Sequence, residues 1–170
     1  VFQKNVFIIH DAINPLLDVT FDGQHINNNE IVQPSPHILI TAVDENKIRF
    51  MKDTSSFKIT LRYPDGVSHA VAFNSPEVVF TPADSVKRKA TVEYNPAALP
   101  DGVYTITVIA YDASGNAAGS ADYAVSFQVI HKASITHFYP YPNPVSSAMR
   151  FVFTITGEQP PSDIKIQIST

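Results

Sequence analysis

Two short stretches carry the side chains best suited to chemistry: "DEN", which is Asp44, Glu45 and Asn46, and "DASGN", which contains Asp112 and Asn116. Clustered carboxylate and amide oxygens are the ligand set that a hard cation such as calcium requires. If the chain folds as a two-sheet β-sandwich, the loop after the second strand and the loop after the sixth emerge at the same end, so the two stretches would meet there. Against this, Asp and Asn are also the preferred residues of turns, and the chain contains no D-x-D-x-D-G loop. Calcium, held by Asp44, Glu45, Asn46, Asp112 and Asn116, is therefore the one cofactor hypothesis to carry forward.

Other chemistries find little footing. Cysteine is absent, which removes disulfides, thiolate nucleophiles and Cys-based zinc sites together. The six histidines (His10, His25, His37, His69, His131 and His137) show no H-x-H or H-x-x-x-H spacing, the local clustering that zinc sites usually use. No G-x-S-x-G elbow and no glycine-rich phosphate loop is present. No catalytic residue is assigned. The aromatic run Phe138, Tyr139 and Tyr141 could face a glycan if its rings shared one exposed plane, or could pack between domains. A net charge of −4 without a basic run argues against nucleic acid or an anionic membrane surface as partner. No apolar stretch is long enough to cross a bilayer.

The elements that must position these loops are strands. In "FKITLRY", Phe57, Ile59, Leu61 and Tyr63 fall on one side while Lys58, Thr60 and Arg62 fall on the other. Successive strand side chains face opposite ways, so the pattern is that of a half-buried strand. "KATVEY", "YAVSFQV" and "LDVTF" repeat it, with Ala90, Val92, Tyr94, then Tyr123, Val125, Phe127, Val129, then Leu17, Val19, Phe21 on the inner side. "ILITAV" and "YTITVIAY" are less polar on the outer face, as central strands would be. Strands are expected near 17–22, 38–43, 57–63, 69–73, 78–81, 89–94, 103–111 and 121–130, with "YPDG" (63–66) and "DASGN" as turns. "LPDGVYTITV" places Tyr104 as the second residue of its strand after a Pro-Asp-Gly turn, the layout of a tyrosine corner.

The expected fold class is all-β: an immunoglobulin-like, fibronectin III-like β-sandwich over residues 15–131, with an additional short, incomplete β segment at the C-terminus. Residues 1–14, including "FQKNVFIIH", read as the remnant of an upstream region or an extra edge strand. Residues 132–170 read as a linker, a strand at 149–155, a second strand at "IKIQI" (164–168), and the truncated start of a second β-module. Two or three strands do not make a stable sandwich alone, so this segment is expected to lean on the sandwich or on another molecule.

"YPNP" (141–144), followed by an alternating strand and a proline-rich turn, resembles the opening half of the sorting or hook-capping-like β-sandwich that ends many proteins exported by the type IX secretion system of Bacteroidota. Phe usually follows "YPNP" in that module, and Val145 stands there instead. Upstream, residues 16–46 and "DTSSFKITLRYPDG" (53–66) resemble the accessory β-domain of gingipain-like cysteine peptidases and sortases of the same system. The resemblance implies a large secreted or cell-surface parent with a peptidase domain before Val1, and it transfers no catalytic residue. The expected role is a non-catalytic structural or accessory domain whose partners are neighbouring domains. The alternative is an adhesion or carbohydrate-binding module that meets protein or glycan at the cell surface and carries a loop-end calcium.

Overall fold

Alternation along the strand β8, Gly102–Ala110, sets the architecture. Tyr104, Ile106, Val108 and Ala110 are all buried, while Thr105, Thr107 and Ile109 reach the half-buried outer face. The computed structural model describes residues 11–132, 134–157 and 163–167, and places β8 in the interior of a five-stranded sheet. Its neighbours are β4 (Phe57–Arg62) and β9 (Tyr123–Val129), both antiparallel, with β5 (Ser68–Ala70) outside β4. On the far edge β2 (Glu30–Val32) pairs with β9 in parallel. The sheet order is therefore β2-β9-β8-β4-β5.

A second, wholly antiparallel sheet comprises β1 (Leu16–Phe21), β3 (Ile38–Val43), β6 (Val78–Thr81) and β7 (Lys89–Tyr94) in the order β1-β3-β7-β6. Val19, Phe21, Ile38, Ile40, Ala42, Ala90, Val92 and Tyr94 form its buried face and join β8, β4 and β9 in one apolar cluster. Fully burying a side chain such as Ile106 or Ile40 contributes about 1.5–3 kcal/mol, which is why period-two patterning dominates the fold. Rings knit the middle: Phe127 meets Phe21 edge-on at 5.1 Å and stacks on Tyr104 at 5.5 Å. The chain is all-β, and its helical content among the described residues is a 3-10 turn, Thr54–Ser56, capped by Asp53, whose carboxylate accepts from Ser55 N at 3.0 Å.

The turns follow from their residues. The Tyr104 hydroxyl donates to the Pro100 carbonyl at 2.9 Å, so the tyrosine corner forms as its sequence implies. Gly102 lies so close to Pro64 that an added Cβ would stand 2.9 Å from Pro64 Cβ, and only a residue without a side chain admits that approach. At 112–116 the Asp112 N–H donates to the Asn116 carbonyl at 3.0 Å, and Gly115 supplies the φ of +92° that the reversal needs.

Three elements depart from the sequence expectation. β2 is an added edge, too short to announce itself by alternation. The stretch around "HFYPYPNP" is no mere connector: Ser134–Tyr141 forms β10, antiparallel to β11 (Arg150–Thr156), with a bulge between Thr136 and Tyr139. "IKIQI" forms no strand over its described residues 164–167, and Ile168 lies outside them, as does "FQKNVFIIH" at 2–10. Alternation marks what a strand would tolerate, whereas a strand also needs a partner ladder.

The β10–β11 hairpin has two faces. Phe138 stacks on Phe151 at 5.3 Å and lies 6.4 Å from Phe153. Tyr139 and Tyr141 sit opposite Val152 and Arg150, on the other face. Its end closes back on the linker, where Thr156 Oγ1 donates to the Lys132 carbonyl at 2.8 Å.

Two predictions follow from this packing. Tyr104→Phe keeps the ring and loses the corner hydrogen bond, so urea unfolding should show a loss of about 1 kcal/mol at unchanged m-value. At the pole where β9 ends, the Asp101 carboxylate receives the His131 ring nitrogen and, at 2.7 Å, the His131 N–H. These bonds, the side-chain one first, hold its pKa below the ordinary value. A depressed carboxylate pKa stabilises above the unfolded-state value near pH 4 and ceases to do so as pH falls through the folded value. The Tm gap between wild type and Asp101→Asn should therefore be present at pH 5 and close as pH falls below about 4.

Candidate functional site

The antiparallel registers bring several strand ends to one pole. β1 begins there, β3 ends there with Val43 opposite Leu16, β8 ends there, and β9 starts there. The loop after β3 carries Asp44, Glu45 and Asn46, and the loop after β8 carries Asp112 and Asn116. Both come to the pole where the sequence argument places them. A further residue joins them: Asp11, on the segment leading into β1. One carboxylate oxygen from each of Asp11, Asp44 and Glu45 lies within 4.8 Å of the others.

Asp44 is the unusual member. It is 3% exposed, its Oδ1 accepts from Asn46 N at 3.2 Å, and its Oδ2 is buried without a hydrogen-bond partner. Burial, opposed by the Asn46 N–H, pushes its pKa up, and the nearby charges of Asp112, Glu45 and Asp11 push the same way. A buried carboxylate oxygen with no donor is costly unless something positive meets it. Arg88 approaches the loop, but its Nη1 donates to the Glu45 backbone carbonyl at 3.3 Å.

The amides play a different part from the one the sequence assigned. Asn46 Oδ1 accepts from the backbone N–H groups of Ile48 and Arg49 at 2.9 and 3.0 Å, and its Nδ2 donates to Asp11 Oδ2 at 2.6 Å. Asn116 Nδ2 donates to Asp112 Oδ2 at 2.7 Å, to the Asp11 carbonyl at 3.1 Å and to the Ile13 carbonyl at 3.4 Å. Asp112, also buried, accepts at Oδ1 from the N–H groups of Ser114 and Asn116, each at 2.8 Å. Thus Asn46, Asp112 and Asn116 hold the loops and the leading segment in place, and Asp11, Asp44 and Glu45 present the oxygens. Asp11 had no signal in the sequence. Its "DAINP" context reads as a separator, and only the long-range pairing of β1 with β3 brings it to the site.

The remaining candidates are dispersed. His25 Nε2 meets Asp18 Oδ1 at 2.6 Å on the exposed outer face of β1, and His37 Nε2 lies 3.4 Å from Glu93 Oε2. Each is a local surface pair. Phe138, Tyr139 and Tyr141 do not form a single plane, because Phe138 turns to Phe151 while the two tyrosines occupy the opposite side of the hairpin.

Asn116→Ala removes the amide that joins Asp112 to the leading segment. It should cost about 1–2 kcal/mol in urea unfolding and raise hydrogen exchange in 112–116 more than in β4. No protein-family model matches the chain, and no curated protein matches it in sequence.

Proposed function

We propose that this chain is a non-catalytic accessory β-sandwich, immunoglobulin-like in topology, that spaces and orients its neighbours within a larger secreted or cell-surface protein. The observation that carries this reading is the in-line path of the chain. The leading segment joins at the pole of Asp11, and the chain leaves at the opposite pole, at Asp101 and His131. β8 runs between the poles, and its nine residues extend roughly 30 Å.

The topology supports the immunoglobulin-like assignment. The order β1-β3-β7-β6 against β9-β8-β4 corresponds to the ABED and GFC sheets of that fold. Exposed Ile13 and Ile48 beside the acidic loops, 58% and 84% exposed, suit contact with a domain before the sandwich. The likeness of 16–46, 53–66 and "YPNP" to type IX-associated accessory and sorting modules supports the secreted setting and a peptidase parent.

The test is a domain exchange in the full-length protein. Replacing 15–131 by an unrelated sandwich whose ends also lie at opposite poles should preserve secretion and the activity of the rest. Normal secretion with lost activity would show that this sandwich contributes more than spacing.

A further inference from the structure

Three features outside that reading invite an explanation: the two-faced hairpin, the groove between it and β9 near Gln128 and His137, and the acidic pole. Only the pole combines a ligand-type cluster with a buried atom that lacks a partner. We propose that Asp11, Asp44 and Glu45 bind one calcium ion, which ties the segment leading into β1 to the loop after β3. This does not rest on the spacer reading.

The donors are all carboxylate oxygens, the chemistry of a hard cation. Calcium bonds to oxygen at about 2.3–2.6 Å, so two oxygens on one ion stand at most about 5 Å apart. The three carboxylates meet that bound, lying within 4.8 Å of one another. Asp44 Oδ2, buried and without a donor, is the atom an ion would satisfy. It is inaccessible to bulk water, whereas Glu45 on the same loop is exposed and leaves an approach open. Calcium suits the site better than magnesium because the ligands come from two separate chain segments with no imposed octahedron, and calcium tolerates irregular geometry. The surrounding bonds have already arranged these segments: Asn46 holds Asp11, and Asn116 holds the Asp11 and Ile13 carbonyls. The ion would complete this framework and neutralise three mutually repelling charges.

The test uses the whole 170-residue chain, stripped with chelator and then titrated with CaCl2 by calorimetry and thermal unfolding. Extracellular modules bind calcium with Kd of about 0.1–1 mM. At about 10 mM calcium the folded-to-unfolded ratio should therefore rise about 10–100-fold, read as a Tm increase of several degrees with one ion bound. Asp44→Asn should fold at least as stably as the metal-free wild type, since an amide can donate to the neighbouring carboxylates, and should lose the calcium response. Glu45→Gln, on an exposed position, should weaken binding without lowering the metal-free Tm. The proposal is overturned if wild type gives neither heat nor Tm shift at 10 mM, or if Asp44→Asn keeps the full shift. An equal shift from MgCl2 would overturn the assignment to calcium.

Discussion

The constraint on which everything else depends is the burial parity of β8. Tyr104, Ile106, Val108 and Ala110 can face the second sheet only in one register, and a slip by one residue would send all four to the outer face. The tyrosine corner fixes that register at one end by anchoring Tyr104 to Pro100, and the "DASGN" turn ends it at the other. β4 and β9 take their alignment from β8, so the same parity determines which of their residues face the core. The acidic cluster depends in turn on the other sheet, where the pairing of β1 with β3 brings Asp11 to Asp44 and Glu45.

Much of this was legible in the residues. "FKITLRY", "KATVEY" and "YAVSFQV" bury the positions their alternation implies, except Tyr63 and Tyr123, which stay half-buried, because one face of each strand touches the core and the other touches solvent. The central strands were legible too, from the weaker polarity of "ILITAV" and "YTITVIAY". What escaped was non-local or under-specified. β2 is three residues long and pairs with a strand almost a hundred residues away, so no local period could mark it. Prolines 140, 142 and 144 made β10 look like a connector, yet proline is tolerated in a two-stranded ribbon, where each strand has a free edge. "IKIQI" shows the converse failure, alternation without a ladder.

At the acidic pole, residue type and loop position were readable, whereas the division of labour was not. An Asn in a turn can present its oxygen to a ligand or give it to the backbone. Asn46 does the second, donating its nitrogen to a carboxylate, and nothing in "DEN" distinguishes the two. Asp11 illustrates a more general limit: a site assembled from three loops is visible only once the strands between them are aligned.

The parallel pairing of β2 with β9 has a mechanical consequence. β2 belongs to the part of the chain that follows the leading segment, and β9 to the part that leaves at the opposite pole. Tension applied between Asp11 and Lys132 would drag these two strands along their axes in opposite directions. The ladder Glu30–Val32 against Phe127–Val129 would then be loaded in shear, its hydrogen bonds resisting together instead of parting one after another. A short edge strand would thereby act as a latch against pulling.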